Sequence, residues 1–428
     1  MPIISDQQLD ALRNSVEELS ALNEIAIAIN LSMSVDKITQ TILACCLKRI
    51  LADQGAIFLL ADDAARAGMF HTFVRQRTDL GRETPFHLNE SLVGWMIRHK
   101  SLLVMNDPDN DERFAAVNFR KEGLTSLLAA PLISRDSLIG VLALFNKRVP
   151  SGFSENDKRF LGIVGTQTAM VITNAQLFEK EQELLTIQEE MRLARSIQEN
   201  YLPRQGLAAT DFEVLGFSSP AKEVGGDFWD MVRLSRNRIF FTVGDVSGKG
   251  VPAALLAAQS LAVIRSQLQT DPIVAIQVLA VRLNRLFFES STPEQFMTCF
   301  LATYDTVKRC LYYINAGHAP PLVSSTDGSI RKLETANIVI GVDPDSSYAP
   351  GDVVLNTGDT VFVCTDGVTD NFGPNGEEYG DDRLRAFISS KRGFDLTTLC
   401  DSLVADLARF RQDTPQFDDI TFLIMRAK

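Results

Sequence analysis

Between residues 55 and 147 the chain alternates short apolar runs with polar breaks. GAIFLLAD (55–62), MFHTFVRQ (69–76), SLLAAPLI (126–133) and LIGVLALFNK (138–147) have the length and composition of strands, and SLVGWMIRHK (91–100) that of a short helix between them. Ahead of them, over residues 5–30, Leu9, Leu12, Val16 and Leu19 recur at helical spacing behind a capping-box start at Ser5 and Gln8. A second helical period opens at Ser154, with Asp157 three residues on, passes through FLGIVGTQTAMVITNAQLF (160–178), and meets no proline before Pro203. Met170, Leu177, Leu184, Ile187, Met191 and Ala194 trace a heptad seam along it, interrupted at Thr173 and Lys180. A seam of this length, with Glu179, Lys180 and Glu181 beside it, needs a partner. Parallel self-pairing into a homodimer is the expected arrangement, and a single amphipathic helix lying on its own domain is the alternative.

From about residue 204 the pattern becomes rich in strands: FEVLGF (212–217), RIFFTVGD (238–245), FMTCFLATYD (296–305), RCLYYINAG (309–317), DVVLNTGDTVFVCTD (352–366) and DDITFLIMRAK (418–428). Two helices lie among them, VPAALLAAQSLAVIRSQL (251–268) and PIVAIQVLAVRLNRLFF (272–288). Strand-rich halves flanking paired helices predict sheets packed on each other with helices outside, an α+β sandwich.

Composition narrows the class. At 428 residues, 45% hydrophobic and 22% charged, the chain has the material for two or three domains with ample cores. A net charge of −12 argues against a nucleic-acid partner, whose phosphates attract basic faces. Cys45, Cys46, Cys299, Cys310, Cys364 and Cys400 form no C-x-x-C pair and sit mostly in apolar runs, as reduced thiols of a cytoplasmic protein do. The opening residues carry no basic stretch followed by an apolar one, and no run of about 20 apolar residues is present, so neither a signal peptide nor a membrane span is expected.

The candidate chemistry begins at FFTVGDVSGKGVPAA (240–254), which reads as a strand, a glycine-rich loop and a helix. It is not a nucleotide loop of the Walker type, because Gly244 to Gly248 is one residue short and Gly250 stands where a hydroxyl is needed. It is not a nucleophile elbow either, since Ser247 follows Gly244 by three positions. What remains is Asp245 at the end of an apolar run, and other acids also lie at the boundary of such a run: Asp227, Asp366, and Asp418 and Asp419, which open one. Gly226, Gly244 and Gly367 lie beside them, as a crowded ligand cluster requires. Singly, an aspartate at a strand end is an ordinary turn-former. Brought together, such carboxylates would raise one another's pKa unless cations neutralised them, and oxygen-only ligands select Mg²⁺ or Mn²⁺. His318 is the one histidine of this half, which argues against a zinc site built on imidazoles and leaves a Ser-His-Asp triad without support.

VGGDFWD (224–230), GDVSGKGVPAAL (244–255), INAGHAPP (314–321), TDGVTD (365–370) and DDITFLIM (418–425) resemble, in order, the motifs of PPM-type serine/threonine phosphatases. The likeness is greatest to the SpoIIE/RsbU branch of bacterial stress and sporulation signalling, and ARSIQENYLP (194–203) resembles the segment that precedes the catalytic domain there. Residues 20–178 resemble a GAF domain, most closely in SLVGWMIRHKSLLVMND (91–107) and LLAAPLISRDSLIGVLALFNK (127–147). The resemblance implies an N-terminal helix over 1–30, a GAF-like sensor with an antiparallel sheet and helices over 20–178, a coiled-coil linker helix over 154–203, and a phosphatase domain of αββα form over 204–428.

It also implies roles. Asp245 matches the carboxylate that bridges two ions, the Val246 carbonyl a neighbouring ligand, and Asp366 and Asp418 the ligands of the second ion. Asp227 matches an acid serving the first ion, sometimes through water. Asp419 stands where many members have asparagine but is counted with the ligands, and Asp370 matches a further acidic position, either behind the ligands or beside a third ion. Two Mn²⁺ or Mg²⁺ ions would generate a hydroxide for in-line attack on phosphorus. The implied substrate is a phosphorylated STAS-domain anti-sigma-factor antagonist, and the GAF ligand, whether small molecule or protein, stays open. His318 is read as a structural residue of its loop, with protonation of the leaving oxygen as the alternative, and Lys249 as a solvated loop lysine. Two other readings are kept: a GAF-based binding regulator whose phosphatase domain is weak or silent, and a hydrolase of a small phosphorylated metabolite.

Overall fold

The computed structural model describes residues 35–60, 70–77, 90–115, 119, 123–334 and 337–428. The helix expected over 5–30, and the start of the domain expected over 20–178, lie outside them. The chain divides into two compact units, Met1–Leu185 and Thr186–Lys428.

In the first unit α1 (Val35–Ile50) leads into β1 (Ala52–Leu60) and β2 (Phe70–Arg77), then α2 (Glu90–His99), β3 (Leu103–Met105), β4 (Leu127–Ser134) and β5 (Ser137–Lys147). The strands form one antiparallel sheet in the order β2-β1-β5-β4-β3. Successive side chains of a strand point to opposite faces, and here both faces are covered. Ile57, Leu142 and Leu144 pack with Ile42, Leu43 and Leu47 of α1, whereas Phe58, Val141 and Phe145 pack with Leu92 and Met96 of α2. Double coverage explains why LIGVLALFNK is apolar throughout rather than alternating.

The long helix, α3, spans Glu155–Tyr201. Ser154 and Asp157 close its first turn reciprocally: Ser154 N–H donates to Asp157 Oδ2 at 2.8 Å, and Asp157 N–H to Ser154 Oγ at 3.2 Å. Phe160, Leu161 and Val164 are buried with the first unit's core. Further along the helix the large apolar side chains face solvent, with Leu177 48%, Leu184 60% and Ile187 46% exposed.

The second unit contains β6 (Leu207–Ala208), β7 (Phe212–Ser219), β8 (Phe228–Ser235), β9 (Arg238–Val246), α4 (Val251–Thr270), α5 (Ile276–Ser290), β10 (Met297–Asp305) and β11 (Cys310–Ala316). It continues with β12 (Leu322–Ser324), β13 (Ile330–Lys332), β14 (Gly351–Val354), β15 (Thr360–Cys364), the single turn α6 (Asp366–Thr369), α7 (Gly380–Ser390), α8 (Leu396–Arg411) and β16 (Ile420–Ala427). Two sheets form, β14-β11-β10-β9-β8 and β13-β12-β15-β16-β7-β6. Their facing sides bury Trp229, Phe241, Val243 and Phe300 against Val214, Val361, Val363 and Leu423. The outer side of the first sheet packs under α4 and α5, and that of the second under α7 and α8. The result is the four-layered αββα sandwich.

Three readings of the pattern are corrected. The run 352–366 is two strands in different sheets, not one: the chain turns at Asn356–Asp359, where the buried Asp359 carboxylate accepts from Asn356 N–H at 2.9 Å. The outer helices α7 and α8 were missed, because polar residues separate their buried leucines and phenylalanines. Finally, α4 is long and apolar enough by composition to cross a membrane, contrary to the reading that no such run exists. In the fold Ala253, Leu256, Leu261 and Ile264 bury its apolar side, and Arg265 forms an ion pair with buried Asp230 at 2.7 Å.

Candidate active site

Strand register places the acids. In the first sheet Phe228 lies opposite Gly244, so Asp227, just before β8, and Asp245, near the end of β9, share one end. In the second sheet Cys364 lies opposite Phe422, and Thr365 N–H donates to the Thr421 carbonyl at 2.9 Å. Asp366, just past β15, and Asp418 and Asp419, just before β16, are therefore neighbours at their own sheet's end. Stacking the sheets brings both sets together. An added Cβ on Gly225 would collide with the Asp419 carboxylate, and one on Gly367 with the Asp419 carbonyl oxygen. The glycines are there because side-chain oxygens and backbone approach too closely for any Cβ.

The electrostatics record the crowding. Asp227 is buried, and burial first, then the charges of Asp245 and Asp419, raise its carboxyl well above the usual range. Asp245 is pushed up to about 6 by burial and by Asp366, Asp418 and Asp419, with a hydrogen bond to Asp227 offsetting part of this. Asp366 is raised by burial, Asp418 and Asp370. Thr365 Oγ1 donates to Asp227 Oδ2 at 2.7 Å and holds that carboxylate in place. Asp419 accepts from Ala221 N–H at 2.8 Å, so its carboxylate is turned to the loop that carries Asp227. Asp418 is met by Lys249 Nζ at 3.0 Å, so this exposed loop lysine is also paired with the site. Val246 closes β9, with its N–H 3.4 Å from the Gly226 carbonyl, and Asp370 follows α6, its N–H donating to the Asp366 carbonyl at 2.7 Å.

The donor set suits a hard cation. Its side-chain donors are carboxylate oxygens that repel one another, and the neighbouring thiols Cys299 and Cys364 are pushed up to about 12 by burial and stay protonated. Among the described residues no three Asp, Glu, His or Cys side chains converge tightly enough to hold an ion as they stand.

His318 sits at the same end but is buried. Its Nδ1 is 2.9 Å from Thr298 Oγ1, its backbone N–H donates to Asn315 Oδ1 at 2.7 Å, and burial lowers its pKa to about 4. It is neutral at physiological pH and holds the turn after β11.

Sequence reasoning did not single out Gln198, Asp230 or Thr365. The Gln198 amide clamps Gly225 from α3: Nε2 donates to the Gly225 carbonyl at 2.7 Å, and Oε1 accepts from Gly225 N–H at 3.1 Å. Arg265 bonds both Asp230 oxygens and donates to the Tyr201 carbonyl at 2.6 Å, tying the end of α3 to α4 and β8. All three residues lie inside the quoted motifs, the only signal the sequence offered for them. A cavity of about 210 Å³ opens between Arg195 and Gln198 of α3, with Leu202 just past its end, and the Asp227 and Asp419 side of the cluster.

Residues 235–428 match the family described as Stage II sporulation protein E (SpoIIE), and residues 32–173 match the GAF domain family. Among curated proteins, the phosphoserine phosphatase RsbU of Bacillus subtilis is 28% identical over 267 residues, 60% of this chain and 77% of RsbU. The phosphoserine phosphatase RsbP of the same organism is 22% identical over 250 residues, 58% of this chain and 60% of RsbP. Among solved structures, the SiaA-PP2C domain of Pseudomonas aeruginosa is 26% identical with a TM-score of 0.51, covering 58% of this chain and 98% of that domain. The chain carries an N-terminal GAF domain and a C-terminal SpoIIE-type domain of the PPM fold, which is also called PP2C.

Proposed function

We propose that this chain is a sensor-regulated protein phosphatase that removes phosphate from serine or threonine side chains. The supporting observation is the convergence of Asp227, Asp245, Asp366 and Asp418 at one end of the stacked sheets, with pKa values raised on Asp227, Asp245 and Asp366. We assign two Mn²⁺ or Mg²⁺ ions to Asp227, Asp245, the Val246 carbonyl, Asp366, Asp418 and Asp419, with Asp370 beside a third. Such ions, when bound, supply Lewis-acid activation of water and neutralise phosphoryl oxygens.

The chain's own residues do the positioning. Thr365 orients Asp227, Asp419 and Gln198 hold the loop on which Asp227 lies, and Lys249 balances the charge of Asp418. We read His318 as a structural residue of its loop, since it is buried and held by Thr298 and Asn315. We take the substrate to be a phosphorylated STAS-domain anti-sigma-factor antagonist in a cytoplasmic partner-switching pathway, the GAF domain to bind a ligand or protein, and the working form to be a homodimer.

The test uses full-length protein and a phosphoserine peptide. Hydrolysis requires Mn²⁺ or Mg²⁺ and stops with chelator, and Asp245→Asn or Asp366→Asn lowers kcat at least about 100-fold with an unchanged circular dichroism spectrum. Full activity in metal-stripped buffer would sink the metal assignment. Unchanged turnover of both variants at saturating metal would remove the two aspartates from it.

A further inference from the structure

We propose that Phe417, supported by Phe372 and Lys249, is a substrate-docking ledge that selects phosphoserine segments with an apolar side chain beside the phosphorylated residue. The proposal rests on the phosphatase reading and adds a specificity element to it. Phe417 directly precedes Asp418 in the chain and is 62% exposed. Its ring is nevertheless fixed. Phe372 meets it edge to face at 5.4 Å between centroids, and the Lys249 ammonium stands 4.5 Å from its centroid. The same ammonium donates to the Phe417 carbonyl at 2.9 Å and pairs with Asp418 at 3.0 Å, so one cation ties the ring to a carboxylate of the cluster.

Phe372 is held in turn by a closed hairpin. Gly373 N–H donates to the Glu377 carbonyl at 2.8 Å, Tyr379 N–H to the Asn371 carbonyl at 2.9 Å, and Tyr379 Oη to Asp406 at 2.7 Å. At the loop that follows Val246, Phe296 is 40% exposed, and its backbone N–H donates to Ser247 Oγ at 2.9 Å. The held ring of Phe417 and the exposed Phe296 thus border the loop between Asp245 and α4. A rigid aromatic left in water beside a reactive mouth adds little to the core, but it gains when a partner covers it, and it loses little conformational entropy in doing so.

The occupant is the peptide flank of the substrate. The charge of Lys249 is already matched by Asp418, so an acidic flank gains nothing from it. An apolar flank is the chemistry that a phenylalanine edge and face accept.

Three short phosphoserine peptides, identical except for leucine, glycine or aspartate on either side of the phosphoserine, test this on the full chain with Mn²⁺. Wild type prefers the leucine peptide over the glycine peptide by about tenfold in kcat/KM, chiefly through KM, and gives the aspartate peptide no gain over glycine. Phe417→Ala erases the leucine preference, and Phe417→Tyr keeps it. Equal use of the three peptides by wild type, or an undiminished preference in Phe417→Ala, overturns the ledge while leaving the phosphatase reading intact. Hydrolysis of none of them by wild type removes that reading and the ledge with it.

Discussion

Asp245 is half-buried among other acids, and desolvation, with the charges of Asp366, Asp418 and Asp419, pushes its pKa up to about 6 from an ordinary value near 4. Folding without a cation therefore favours the protonated carboxyl. Its stabilising share is fully present below about pH 4 and is lost as pH rises through about 6, a difference of roughly 3 kcal/mol for a shift of about two units. His318, lowered to about 4, acts in the opposite sense and favours the fold at higher pH, but it is common to wild type and an Asp245 variant and cancels in their comparison. In chelator, Asp245→Asn is expected to melt several degrees above wild type at pH 7, with the gap closing as pH falls below about 6. Added Mn²⁺ at pH 7 raises wild type more than the variant. Thermal unfolding at pH 5 and pH 7 measures both, and a variant that melts at or below wild type at pH 7 would refute the repulsion account. At this scale the acids were readable in sequence, because each lies at the boundary of an apolar run, with motif glycines beside Asp227, Asp245 and Asp366. Thr365 was not, because its value lies in a 2.7 Å bond to a residue far away in the chain.

At the scale of elements, α3 ends against the loop that carries Asp227, and the Gln198 amide satisfies both the N–H and the carbonyl of Gly225. Each of these bonds fixes backbone next to the Asp419 carboxylate, so removing them loosens the cluster without deleting a ligand. Gln198→Ala is predicted to raise the Mn²⁺ concentration for half-maximal activity several-fold while keeping most of kcat at saturating Mn²⁺. A metal titration of activity decides it: an unchanged midpoint means that the loop is held by other contacts. The helix itself was legible from its period and its Ser154–Asp157 start. Its bonds to Gly225 were not, since a glutamine on a polar helix face looks the same whether it meets water or a loop. The strand misread over 352–366 has a similar cause: both halves are apolar, and only pairing to different sheets separates them.

For the whole molecule, the exposed seam of α3 is the feature that asks for a second chain. Leu177, Leu184 and Ile187 are each close to half exposed or more, and burying such side chains contributes roughly 1.5–3 kcal/mol apiece. A paired helix would give two sensors and two phosphatase domains one shared element whose register can differ between states. Leu184→Glu combined with Met191→Glu is expected to yield monomers with low basal activity and no response to the sensor. Sedimentation with phosphatase assays on the full chain checks this, and a double variant that stays dimeric and regulated would take the coiled coil out of the mechanism.

The order of apolar runs, glycines and aspartates was enough to determine the class of fold and the acids worth examining, because strand periodicity and turn chemistry are local and survive in the linear text. Convergence was not. Asp227 N–H and Asp419 Oδ2 come within 3.5 Å across 192 positions of chain, and nothing in that interval encodes the distance. It follows from two sheets stacking on Trp229, Phe241, Phe300 and Leu423, which brings their strand ends to one mouth. The same stacking decided that His318 is neutral and that Lys249 belongs to Asp418. It also left Phe417 bare, because charge state and exposure depend on what surrounds a side chain rather than on what precedes it.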